Sequence, residues 1–107
     1  MNDNDLIDQG SVILVNVFTP IAGMTDAFIE AQTAEYARLK GLVQGARGNR
    51  LLRSLDGKRA VNIAYFESVE LYDAWIGSDL FADHLSRIRH LVEKVEPALF
   101  DIAYESA

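Results

Sequence analysis

Residues 11–19, SVILVNVFT, alternate with a period of two. Val12, Leu14, Asn16 and Phe18 share one side, and Ile13, Val15 and Val17 the other, which predicts a strand with few polar positions on either face. Pro20 and Gly23 break the chain. From about Met24 to Leu42 the period becomes helical: Met24, Ala27, Phe28, Ala31, Leu39 and Leu42 form an apolar stripe, with Glu35 inside it. Gly41, Gly45 and Gly48 offer several ways to end this helix. Two strand-like runs follow, NRLLRSL (49–55) and RAVNIAYFE (59–67), joined through Asp56-Gly57. Asp-Gly between such runs predicts a hairpin with a type I′ turn. Ser68 is a predicted N-cap for a helix over 69–76, Gly77 interrupts, and Ser78 or Asp79 starts another helix running to Glu96. Its stripe is Phe81, Leu85, Ile88, Val92 and Val95, and Pro97 stops it. A last strand is predicted over 99–105, with Phe100, Ile102 and Tyr104 on one face.

The element order is β-α-β-β-α-β, the ferredoxin-like α+β pattern. It predicts a four-stranded antiparallel sheet with strands one and three central and helices on one face. The other face would carry Ile13, Val15, Val17, Val61, Ile63 and Tyr65. A half-solvated sheet shows polar residues there, and an apolar patch of this size marks an interface. The pattern therefore predicts a homodimer packed sheet on sheet.

Bulk composition narrows the partners. A chain of 107 residues, half of them apolar, makes one domain with one core. A net charge of −6 with scattered Lys and Arg disfavours nucleic acid and anionic membranes. The absence of Cys excludes disulfides and thiolate chemistry. No apolar run approaches the roughly 20 residues of a membrane span. The acidic start, MNDNDLIDQG, lacks the pattern of a signal peptide. Residues 1–10 read as a flexible arm on a cytoplasmic protein, ahead of a domain over 11–107. Two distant histidines provide no intrinsic metal cluster.

Two amides interrupt apolar strand faces: Asn16 in the first strand and Asn62 in VNIAYFES, 61–68. A buried amide is costly unless hydrogen-bonded. The two either pair with each other and with their neighbours, or mark one polar spot in an apolar pocket. His84 lies on the flank of the last helix's stripe, facing the protein, whereas His90 points to solvent. Glu35 and Arg38 either pair at the edge of the first helix, or Glu35 reaches the pocket as a base. Tyr72, Trp75, Phe66 and Phe81 are core residues or pocket walls; Tyr72 carries a hydroxyl that needs a partner if buried.

The run RSLDGKRAVNIAYFES, 53–68, resembles the motif of antibiotic biosynthesis monooxygenase domains. The resemblance extends from VNVFT, 15–19, through SDLFADH, 78–84, to the final strand. It implies a dimeric α+β barrel. In the branch of cofactor-independent monooxygenases acting on phenolic polycycles, Asn62 and Tyr72 match the family's site, and Phe66 stands where that branch has Trp. In the haem-degrading branch, Asn16, Trp75 and His84 occupy similar places, with His84 as the axial iron ligand. The resemblance implies catalytic roles for Asn62, His84 and Tyr72, and substrate contacts from Asn16, Phe66, Trp75 and Phe81. It leaves three functions open: an oxygenase for quinol-, phenol- or anthrone-type molecules without a cofactor, a haem-binding or haem-degrading monooxygenase, and a non-catalytic dimeric ligand-binding or stress-related protein.

Overall fold

The computed structural model describes residues 12–107, so the arm assigned to residues 1–10 lies outside the described residues. The elements are β1 (Val12–Pro20), α1 (Thr25–Leu39), β2 (Ala46–Arg53), β3 (Ala60–Phe66), α2 (Val69–Ile76), α3 (Asp79–Ile88), a 3₁₀ turn (Arg89–Leu91) and β4 (Val92–Phe100). The strands form one antiparallel sheet in the order β2-β3-β1-β4, as the sequence pattern predicts.

Strand alternation decides what faces the helices. Leu14 and Phe18 of β1 are buried, as are Ala60, Asn62, Ala64 and Phe66 of β3. Phe18, Phe28, Ala60, Ile88 and Leu91 make one core cluster, in which the rings of Phe18 and Phe28 stand 4.8 Å apart. Leu14, Ala64 and Phe66 make a second, covered by Tyr72 and Trp75 of α2. The alternate residues Ile13, Val15, Val17, Val61, Ile63 and Tyr65 lie half-exposed on the opposite face.

Helix starts follow the predicted caps. Ser68 Oγ accepts from the Leu71 amide at 3.2 Å, and Ser78 Oγ accepts from the Phe81 amide at 3.1 Å. Gly45 joins α1 to β2 with φ of 85°, and its carbonyl accepts from the Glu67 amide. A Cβ there would sit 2.7 Å from Leu71 Cδ1, so this glycine lets α2 dock on the loop.

Four sequence expectations are corrected. The first helix ends at Leu39, not Leu42, and its buried positions are Phe28, Gln32, Glu35 and Leu39. Two of the four are polar, which hid the true face. Asp56-Gly57 is not a two-residue type I′ tip: β2 and β3 separate after Arg53↔Ala60, and the turn runs Ser54 to Gly57, with Leu55 and Asp56 at its centre. Ser54 Oγ and Asp56 Oδ1 accept from backbone amides inside the loop and hold it open. The last helix stops at Ile88, not Glu96, and β4 begins at Val92. Val92 and Val95 fit a helical stripe but are β-branched, and they pair with β1 instead. Pro97 lies within β4, where an edge strand tolerates its missing N–H. The final strand therefore ends at Phe100, and Ile102 and Tyr104 follow it, exposed, outside any strand.

Candidate functional site

Between the sheet and the helices lies a cavity of about 910 Å³, open on one side. Its size falls in the range of small-molecule sites. All seven residues singled out in the sequence line it: Asn16, Asn62, Phe66, Tyr72, Trp75, Phe81 and His84.

The floor is built by strand register. Asn16 lies directly opposite Asn62 on the two central strands, flanked by Leu51 of β2 and Pro97 of β4. Opposed side chains on one sheet face have Cβ atoms about 4.5–5.5 Å apart. The two amides thus form one polar spot. They do not satisfy each other: Asn16 Oδ1 and Asn62 Oδ1 are both buried without a partner. Each such group costs about 1–3 kcal/mol.

The aromatic wall comes from the end of β3 and from α2 and α3. Phe66 and Tyr72 meet edge to face at 5.2 Å, and Trp75 and Phe81 do so at 5.1 Å. His84 stands 6.1 Å from both Trp75 and Phe81. Burial, followed by the nearby Asp73 carboxylate, pushes the Tyr72 phenol up, so it is a neutral hydroxyl near pH 7.

His84 is buried, and its Nδ1 lies 3.1 Å from Glu35 Oε1. Glu35 is only 5% exposed. Arg38 grips its carboxylate from both sides: Nε donates to Oε2 at 2.9 Å and Nη2 to Oε1 at 2.6 Å. Arg38 also meets Asp83, which in turn binds Arg87. The Arg38 hydrogen bonds, against the cost of burial and with help from His84, hold the Glu35 carboxyl down at about 2. Glu35 is therefore an anion, placed to accept a hydrogen bond from Nδ1–H of His84. Glu35 thus pairs with Arg38, the first of its two readings, and the second is corrected: it stands behind His84 and does not reach the cavity as a base.

Among the wall residues that the sequence reading did not single out are Gln32, Tyr36 and Asn49. Gln32 Nε2 donates to the Tyr36 hydroxyl at 2.9 Å, and Asn49 also hydrogen-bonds it. Burial pushes the Tyr36 phenol up to about 12. Gln32 is 2% exposed and its Oε1 has no partner. Its i, i+3 spacing to Glu35 was the available signal.

The arrangement defines a class first: a ferredoxin-like α+β domain whose sheet and helices enclose a mostly apolar cavity with an unsatisfied amide floor. Known proteins then place the fold. The chain has the fold of the antibiotic biosynthesis monooxygenases. It is similar to SnoaB, a cofactor-independent oxygenase from Streptomyces nogalater solved as an Asn-to-Ala variant, at 23% identity and a TM-score of 0.78, over 91% of this chain and 97% of that one. It is similar to a candidate antibiotic biosynthesis monooxygenase from Bordetella bronchiseptica at 14% identity and a TM-score of 0.80, over 90% and 100% of the two chains. It is also similar to Rv0793 from Mycobacterium tuberculosis at 19% identity and a TM-score of 0.74, over 92% and 100%. No family model matches the chain, and no curated protein matches it. No helix among the described residues is long and apolar enough to cross a membrane.

Proposed function

We propose that this protein is a dimeric, cofactor-independent monooxygenase acting on an electron-rich aromatic such as an anthrone, quinol or phenol. The observation that carries the reading is the pair of unsatisfied amides, Asn16 and Asn62, on the floor of an aromatic-walled cavity that also holds a carboxylate-bound imidazole. Such substrates form stabilised anions that reduce O₂ themselves. For an anthrone, the ring CH₂ and O₂ give the ring C=O and water. Asn62 and Asn16 orient the substrate oxygen, Tyr72 offers a neutral hydroxyl, and His84 takes the proton. Phe66, Trp75 and Phe81 clamp the rings and exclude water, which strengthens each polar contact. The name of SnoaB as a cofactor-independent oxygenase supports the same chemistry. The half-exposed sheet face, with Val15 beside Ile63 and Val17 beside Val61, supports a homodimer.

One observation favours a second reading. A buried imidazole whose Nδ1 is taken by a carboxylate is also suited to be an axial iron ligand. Under that reading His84 would hold the haem iron, and the haem would supply oxygen activation. The test is an oxygen-uptake screen of the purified protein across quinols, anthrones and haem. Uptake with a phenolic substrate and no added cofactor supports the first reading. A Soret shift abolished by His84→Ala supports the second. Ligand-dependent thermal shifts with no uptake leave a binding protein.

A further inference from the structure

From the geometry behind the cavity wall we infer that Glu35 and His84 form one proton-transfer unit, which gives the site an activity that needs no oxygen: reversible abstraction of a proton from an acidic C–H or O–H of an aromatic ketone or its enol. The inference rests on the substrate class proposed above; it isolates the proton-transfer step of that reading and assigns Glu35 its part in it.

The argument starts from the ring nitrogens. His84 lines the cavity, and Glu35, which binds its Nδ1, does not. The nitrogen left for a ligand is therefore Nε2. An ionised Glu35 can only accept, so Nδ1 carries the proton and Nε2 the lone pair. That tautomer is the one a base requires. Arg38 decides how Glu35 acts. It already neutralises most of the carboxylate through two short hydrogen bonds, and Asp83 and Arg87 extend the network with one charge of each sign. The effect of Glu35 on His84 is thus mainly orientation and tautomer, with a smaller share of charge. Glu35 is a positioning residue, and His84 is the group that touches substrate. At the other end, Asn16 and Asn62 line the cavity floor, and their side-chain carbonyl oxygens are buried without a partner, acceptors suited to a substrate hydroxyl. A proton moves from the substrate to Nε2. The electron pair stays on the substrate, delocalised through its aromatic system onto its oxygen. Return of a proton from the imidazolium restores the starting compound, so no oxidant enters the balance.

The experiment is hydrogen–deuterium exchange at the methylene of 1,8-dihydroxyanthrone under argon in D₂O, followed by proton NMR, with oxygen uptake measured separately in air. The wild type is expected to exceed the His84→Ala background by 100-fold or more, a usual gain for a positioned base. Glu35→Gln is expected to lose at least about 10-fold of that. Nitrogen NMR of protein labelled at histidine reads the cause directly, because the chain has only His84 and His90. His84 is expected as the Nδ1–H tautomer in the wild type, and as a changed tautomer mixture in Glu35→Gln. Exchange without oxygen uptake would remove the oxygenase reading and leave the proton-transfer unit standing. Uptake without exchange above background would overturn the unit and leave the oxygenase. A wild-type His84 in the Nε2–H form overturns it too, whether or not the Glu35 variant folds.

Discussion

Asn16 and Asn62 face each other across the two central strands, and each leaves its side-chain carbonyl buried without a partner. Two amides that could have paired do not. Their cost to the folded protein is offset when something in the cavity bonds to them. Asn62→Leu removes one orphaned polar group while keeping the volume similar. Its melting temperature is expected to equal or exceed that of the wild type, because an unsatisfied buried amide costs about 1–3 kcal/mol. Affinity for a hydroxylated aromatic should fall at least about 10-fold. Thermal denaturation and titration calorimetry of the same variant check both halves. A loss of stability would mean that the amide serves the fold.

The network around Glu35 sets a pH dependence. Its carboxyl sits at about 2 in the folded chain against an ordinary 4.5. A depressed folded value stabilises fully above about 4.5, and the contribution is lost as pH falls toward 2. The whole shift corresponds to roughly 3 kcal/mol, but solvent screening on the Arg38 side reduces the expected effect to about 1–2 kcal/mol. Urea unfolding of wild type and Glu35→Gln should therefore differ at pH 6 and converge as pH falls below about 4. A constant difference would contradict the ion pair.

Gly45 should tolerate no side chain. Its φ of 85° and the 2.7 Å approach of Leu71 Cδ1 both oppose a Cβ. Gly45→Ala is expected to cost roughly 2 kcal/mol or more in chemical denaturation. Gly48→Ala, with nothing within 4 Å of its Cβ, should cost less.

The uncovered sheet face predicts an oligomer. Sedimentation equilibrium should give twice the 11.9 kDa chain mass. Ile63→Lys, at the centre of that face opposite Val15, should give the monomer. A wild-type monomer would leave the apolar face unexplained.

Much of the fold was readable because period two is unambiguous in β1 and β3. Ser68 was likewise readable as a cap, and Ser78 as one of two candidates beside Asp79. The β4 boundary was not, because Ile88, Val92 and Val95 keep a helical spacing across a point where the backbone has already turned extended. Only pairing with β1, a long-range contact, decides it. The cavity wall was legible through residues that broke an apolar pattern: Asn16, Asn62 and His84. Gln32 was missed because a polar residue on a helix reads as solvated. It is buried in the cavity wall, where its Nε2 donates to the Tyr36 hydroxyl. The function of Glu35 itself could not be read from spacing, since its partner His84 is 49 residues away.

The central claim is that an amide floor and an oriented imidazole allow an aromatic substrate to react with O₂ without a cofactor. The most direct measurement is oxygen uptake by purified protein free of haem and metal, with 1,8-dihydroxyanthrone, for the wild type and for the Asn62→Ala/His84→Ala double variant. The account predicts one O₂ consumed per anthrone oxidised by the wild type, and a rate at least about 100-fold lower for a folded double variant. Equal rates for the two proteins, or no uptake by the wild type above the uncatalysed reaction, would contradict it.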